Sequence, residues 1–177
     1  MQHKSKSAST LTCPIARSLE RVGDAWSILI LRDAFYGMTR FDEFQKSLEI
    51  APNILTRRLT SLVAEGLMER RQYLEKPPRY EYVLTESGKA FKSVMVALLT
   101  WGNQHFTPEG LSVVLSDLDT GATIHPVLID GASGKPIADA NYILAAGPAA
   151  SEGTRNRMAY AAQKRALARK EAKDATV

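Results

Sequence analysis

The stretch from Pro52 to Thr85 constrains the fold more than any other part of the chain. Pro52 stands at a first helical position and opens a helix that runs to about Glu65, just before Gly66. Within it Leu55, Leu59 and Leu62 fall inside about 60° of one another at 100° per residue, which makes them a buried stripe. The opposite face follows: Asn53, Arg57 and Thr60 point away from the stripe, Thr56 and Ser61 flank them, and Arg58 sits at the border, with no carboxylate before Glu65. Two alternating runs come next, Leu67 to Leu74 and Tyr80 to Thr85, joined by Glu75, Lys76, Pro77, Pro78 and Arg79. They predict a β-hairpin directly after the helix.

Upstream, Pro14 suits the first turn of a helix running to about Val22, capped by Thr12 or Cys13 and ended by Gly23. Asp24 then caps a second helix whose Trp26, Ile28, Leu29, Ile30 and Leu31 are apolar nearly all round, as a buried central helix requires; Gly37 stops it. A third, short helix fits Arg40 to Leu48, with Phe41 and Phe44 on one face, and the turn Glu49, Ile50, Ala51 leads to Pro52. The third and fourth helices form a helix-turn-helix candidate, and the hairpin behind them is a wing. The outward face of the fourth helix carries what major-groove entry needs. Arginine bonds guanine bidentately, asparagine bonds adenine, and serine or threonine reaches phosphates or either base type. Candidate DNA contacts on this helix are Pro52, Asn53, Thr56, Arg57, Arg58 and Thr60. Arg70, Arg71, Lys76 and Arg79 give the wing phosphate-binding charge, which adds affinity and register but no sequence information. The bland alternative is a solvated helix face. A second alternative is a winged-helix module that binds protein without sequence-specific DNA binding, which would not be expected to carry cations on both elements.

Thr85 caps a last helix, Glu86 to Phe106. Its Phe91, Val94, Met95, Leu98, Leu99 and Trp101, with Val96 and Ala97 on the far side, exceed what one small core covers. The surplus points to a homodimer interface; burial under the C-terminal segment is the alternative. Charge divides the chain: residues 1–106 hold 15 Lys/Arg against 11 Asp/Glu, residues 107–150 hold 1 against 5, and residues 151–177 hold 7 against 3. A face for a polyanion therefore belongs to the first hundred residues. The expected organisation is a DNA-binding and dimerisation domain over 1–106, a small β-rich segment over 107–150 and a basic, Ala-rich tail over 151–177, with Thr107 to Gly110 as linker. In the middle segment Leu111 to Leu115, Ile124 to Ile129 and Tyr142 to Ala146 are separated by Asp119-Thr120-Gly121 and Asp130-Gly131-Ala132-Ser133-Gly134, the pattern of a small antiparallel β unit. The tail has high helix propensity but no core stripe, so it reads as a frayed helix or a disordered tail, serving either non-specific DNA affinity or solubility. The fold class is mostly α with a small β wing (α+β): a winged helix-turn-helix domain, then the β-rich segment, then the tail.

Other classes are excluded. No apolar run approaches the roughly 18 to 20 residues that span a bilayer. Met1 to Thr12 lacks a signal-peptide core, so the expected compartment is the cytoplasm. Cys13 is the one cysteine, and His3, His105 and His125 are scattered, so no internal disulfide, metal or cofactor is expected. There is no phosphate-cradling glycine loop, nucleophile elbow or His-Glu metal motif, and an enzyme is not expected.

These residues resemble the HxlR-type transcriptional regulators, relatives of the MarR-like winged helices. The resemblance covers about Cys13 to Phe106 and rests on Cys13-Pro14-Ile15-Ala16-Arg17, Gly23-Asp24-Ala25-Trp26, Leu29-Ile30-Leu31-Arg32-Asp33, Arg40-Phe41-Asp42-Glu43-Phe44, Ile50 to Leu59, Pro78-Arg79-Tyr80-Glu81-Tyr82 and Leu84-Thr85-Glu86-Ser87-Gly88. It implies a homodimeric DNA-binding regulator, a repressor or an activator, on a pseudo-palindromic operator, often beside its own gene. Ala51 departs from it, since many relatives place a capping serine there; the missing cap weakens the helix start by roughly 0.5 to 2 kcal/mol. Some relatives use the cysteine at position 13 to sense oxidants or electrophiles, which the positive end of a helix and nearby Arg17 would favour. The alternative is a small buried residue that packs the first helix. Some longer relatives carry Cys-Gly and Cys-x-x-Cys-Gly, a zinc-ribbon pattern, where this chain has Thr120-Gly121 and Asp130 to Gly134; the glycine turns are retained and the thiolates are gone.

Overall fold

In a computed structural model the described residues are 13–137 and 142–174. Thr12, the alternative cap of the first helix, lies outside them. The described residues group into two compact units, 21–129 and a second formed by 13–20 with the residues from 130 onward. The elements run α1 (Pro14–Val22), α2 (Ala25–Phe35), α3 (Phe41–Leu48), α4 (Pro52–Ala64), β1 (Met68–Leu74), β2 (Arg79–Leu84), α5 (Glu86–Ala90), α6 (Lys92–His105) and α7 (Glu152–Asp174).

Helix ends fall where short polar and glycine signals place them. The Asp24 side chain accepts the Ser27 N–H at 3.0 Å and so satisfies one of the orphan donors of α2. At α3 the Glu43 carboxylate reaches back to the N–H groups of Thr39 (2.8 Å) and Arg40 (2.9 Å). Those two donors, Arg40 first, hold its carboxyl below the usual carboxylate range. The turn into α4 is made by Glu49, a non-glycine residue in the left-handed region at φ 50°. It drives Ile50 into the core beside Phe44, Leu55, Leu59 and Leu62, all buried, against Ile30 and Leu31 of α2. Each such side chain removed from water contributes roughly 1.5 to 3 kcal/mol.

The wing is an antiparallel pair with Met68 opposite Leu84 and Arg70 opposite Tyr82, and its register shifts between Gln72 and Leu74. Its base is tied down from two sides. Tyr82 N–H donates to Thr39 O at 2.7 Å and Arg40 bridges Glu81, so the loop before α3 pairs with β2. On the other side Thr85 donates its hydroxyl to Gly66 O at 2.6 Å and its N–H to Leu67 O at 3.1 Å, which closes the start of the hairpin onto its end.

Two expectations are corrected. The helix expected over Glu86 to Phe106 is broken at Phe91, whose N–H turns to Gly88 O (3.1 Å) in the tighter i−3 pattern while its ring packs on the core. The β unit expected over 111–147 is reduced, among the described residues, to bridging around two turns, with Ser116 opposite Thr123. In each turn an aspartate curls the chain onto itself. Asp117 accepts the Thr120 N–H and hydroxyl (both 2.8 Å) before Gly121 at φ 71°. Asp130 accepts the Ser133 hydroxyl (2.5 Å) and N–H (3.2 Å) before Gly134 at φ 68°. Those closures stop extended pairing, and Val127, Leu128 and Ile129 stay exposed. The tail, left open between helix and disorder, is a helix over Glu152–Asp174.

Candidate nucleic-acid interface

α4 is rotated about its axis by its buried leucines, and everything on its far side follows. Pro52, Asn53, Thr56, Arg57, Thr60 and Ser61 are exposed, with no carboxylate among them. Their hydrogen bonds set what they can offer a partner. The Thr56 and Thr60 hydroxyls donate to Pro52 O and Thr56 O, both at 2.8 Å, so each oxygen is left as an acceptor. Asn53 Oδ1 accepts the Ile54 N–H at 2.9 Å, which leaves the amide NH2 as a donor. Among the described residues, Arg57 has no carboxylate partner.

Arg58 is different. Its Nε lies 3.1 Å from Asp24 Oδ1, with both side chains less than a third exposed, so its guanidinium is bound to the start of α2 and not turned outward with Arg57. This ion pair links α4 to the start of α2. At the far end of α4, Arg21 and Glu65 pair at 3.2 Å.

The wing holds its cations in three states. Lys76 and Arg79 are exposed at the turn, and among the described residues neither has a carboxylate partner. Arg70 is stacked over the Tyr80 ring at 3.4 Å. Arg71 is bonded to Glu69 at 2.9 Å, which lowers the glutamate pKa and raises that of the arginine. Sequence reasoning passed over Arg40, which caps α3 and lies over the Tyr73 ring at 4.9 Å, adding an exposed cation beside the wing. The signal was there in an arginine at a helix start and an aromatic at the hairpin's register shift, but only their spatial meeting gives it meaning.

Cys13 is partly exposed and its carbonyl accepts the Arg17 N–H at 3.1 Å, which places the residue at the start of α1. The Ala16 N–H, then that of Ile15, hold the thiol pKa below its ordinary value, and the Arg157 cation adds to the same effect. The turns at Asp117 and Asp130 do not fit a zinc ion. Their carboxylates are occupied by N–H groups and hydroxyls of the same turns, and among the described residues no thiolate or imidazole joins them in a metal-binding group.

No residue of α6 is buried, and Val94, Leu98 and Trp101 are exposed. The segment after α6 covers only one edge: Asn103 donates to Val113 O at 2.8 Å, and Leu99, Thr100, Leu111, Val114 and Ile124 help line a half-open groove of about 300 Å³.

A buried helix-turn-helix followed by a cationic two-stranded wing defines a winged helix-turn-helix DNA-binding protein. Residues 21–110 match the HxlR-like helix-turn-helix model, and the chain belongs to that family of transcription regulators, whose members are not enzymes. The uncharacterised HTH-type transcriptional regulator Rv3095 of Mycobacterium tuberculosis is 38% identical over 135 residues, spanning 76% of this chain and 85% of its own. Among solved structures, PA1374 of Pseudomonas aeruginosa, a proposed transcription factor, is 50% identical with a TM-score of 0.61 and covers 82% of this chain and 99% of its own. PA1607, likewise a proposed transcription factor, is 40% identical with a TM-score of 0.71 and covers 78% and 98%. No described helix is long and apolar enough to cross a membrane.

Proposed function

We propose that the protein acts as a homodimer on a pseudo-palindromic operator, with α4 in the major groove and the wing on the backbone. The observation that carries this is the exposed face of α4, where Asn53, Thr56, Arg57 and Thr60 stand without a carboxylate beside a wing that presents Lys76 and Arg79. Asn53 and Arg57, near the start of α4, carry base specificity; Thr56 and Thr60 assist, and Pro52 sets the approach. Arg70, Lys76 and Arg79 meet phosphate or the minor groove. Residues 1–106 form the binding and dimerisation domain, and 107–150 and 151–177 are separate segments. The dimer forms through α6, whose uncovered apolar face supports it, and sets half-sites about 10 base pairs, or ~34 Å, apart. A small-molecule or oxidant effector acts through Cys13, supported by its lowered pKa and partial exposure.

The decisive experiment isolates bound genomic DNA and then compares variants on operator and scrambled duplexes at two salt concentrations. Arg57→Ala costs roughly 1 to 3 kcal/mol on the operator and relaxes preference at one base pair per half-site, while Arg79→Ala weakens all sequences and lowers the salt slope by about 1. Equal losses on both duplexes for Arg57→Ala defeat the reading of α4, and a parent protein with no salt-dependent DNA binding leaves a protein-interaction module as the better account. Glutamate at Met95 or Leu99 yields monomers by sedimentation; dimers that persist place the interface elsewhere. Cys13→Ser abolishes any loss of DNA binding caused by peroxide or quinones, and an unchanged response removes the sensor.

A further inference from the structure

Helix α7 is explained by neither the core nor the operator-reading face. From Gly153 to Lys170 it contains no carboxylate, yet it carries Arg155, Arg157, Lys164, Arg165, Arg169 and Lys170. A helix that is polar all round is ordinarily supported by alternating acid-base pairs one turn apart. Here the turn-spaced pair Arg165 and Arg169 is like-charged, which opposes the helix. Among the described residues, none of the ion pairs involves Arg155, Arg157, Lys164, Arg165, Arg169 or Lys170, and Arg157 donates to Thr154 Oγ1 at 3.1 Å. Tyr160 and Leu167 are exposed, one narrow side made by Thr154, Met158, Ala161 and Arg165 is half-buried, and Arg155, Arg157, Lys164, Arg169 and Lys170 are exposed. From Arg155 to Lys170 the helix extends about 22 Å. Duplex DNA offers one negative charge per ~1.7 Å of axis.

We infer that α7 is a second, sequence-independent contact to duplex DNA, an arm that lies against the phosphate backbone and adds affinity on any sequence. The inference rests on the reading of the protein as a DNA-binding regulator and extends it to a surface outside the winged helix. Like charges unpaired along one helix are relieved by a polyanion, and their neutralisation releases counterions from DNA.

The test uses the full chain with Arg155, Lys164, Arg165, Arg169 and Lys170 all changed to glutamine, which keeps helix propensity, and a second variant in which the three arginines become lysine. Circular dichroism confirms that both retain the parent's helix content. Binding is measured on the operator and on a random duplex between 50 and 200 mM salt. The glutamine variant weakens on both duplexes by a similar factor, about tenfold or more at the lower salt, and its salt slope falls by about 2 to 4, at roughly 0.9 per lost phosphate contact. The lysine variant binds as the parent does. An unchanged affinity and slope in the glutamine variant overturns the arm while leaving the α4 reading intact, since that reading is judged on the parent and on Arg57→Ala. A loss confined to the operator, or a lysine variant as weak as the glutamine one, also overturns it. A parent that binds no duplex defeats the reading on which the arm rests.

Discussion

Gly88→Ala places a methyl group where the wing and the last helices meet. Gly88 is the buried glycine of α5, and its N–H donates to Thr85 Oγ1 at 3.1 Å. A Cβ on it would overlap the Leu67 carbonyl oxygen and stand 3.1 Å from both the Leu67 carbonyl carbon and Leu84 Cδ2. The sign of the effect is a contest. Helix propensity favours alanine over glycine by about 1 kcal/mol, and no left-handed backbone conformation is required at this position. Against that, the obstructing atom is backbone, so no rotamer change relieves it. Either α5 moves away from Leu67 or the two Thr85 bonds that close the hairpin are lost, at roughly 0.5 to 1.5 kcal/mol each, on top of about 1 to 3 kcal/mol for overpacking. The steric cost wins, and the net loss is about 1 to 5 kcal/mol. Urea unfolding followed by far-ultraviolet circular dichroism reads it directly, and thermal unfolding shows it as a drop of roughly 2 to 4 °C per kcal/mol for a chain of this size. Gly153→Ala is the control, because its added methyl meets only Arg157 Nη1 at 3.7 Å. A Gly88→Ala protein as stable as the parent, or more stable by the propensity difference alone, refutes the close approach of α5 to Leu67.

Arg58→Ala lowers stability by about 1 kcal/mol in urea unfolding through loss of the partly buried pair with Asp24, and leaves base preference on the operator unchanged; a base-pair-specific loss would show that its guanidinium reads DNA. Glu49→Gly raises stability by about 0.5 to 1 kcal/mol, because a side chain at φ 50° costs about 1 to 2 kcal/mol and glycine's extra unfolded-state entropy returns part of it; a destabilised variant contradicts the left-handed turn. Asp117 and Asp130 have carboxyl pKa values held below the ordinary range, the first mainly by the Thr120 N–H and hydroxyl and the second mainly by the Ser133 hydroxyl. A depressed folded-state pKa means that the two turns are intact above the unfolded-chain value near ~4 and open as pH falls through the lower folded value. The amide signals of Thr120 and Ser133 report this by nuclear magnetic resonance, and midpoints at the ordinary aspartate value would show that the turns do not hold.

Much of the winged helix is written in short-range signals. Pro14, Asp24, Pro52 and Thr85 mark helix starts and Gly23, Gly37 and Gly66 mark stops, because the orphan N–H and carbonyl groups at a helix end are satisfied within a few residues of it. The stripe of Leu55, Leu59 and Leu62 likewise determines which residues of α4 face outward, since 3.6-residue periodicity needs no partner to be read. What depends on distant chain was decided only in three dimensions. Arg58 looked like a border residue of the reading face and is instead bound to Asp24, 34 positions earlier. Arg40 reads locally as a helix start and only the fold brings it over Tyr73, and the wing's anchorage on Thr39 joins segments more than 40 positions apart. The break at Phe91 arises because its ring turns into a core built by other helices, and an apolar residue inside a helical pattern carries no local mark of that. Apolar stretches over 111–147 suggested strands, but a strand exists only with a paired neighbour, and the aspartate turns at 117 and 130 satisfied the local backbone before a ladder could extend.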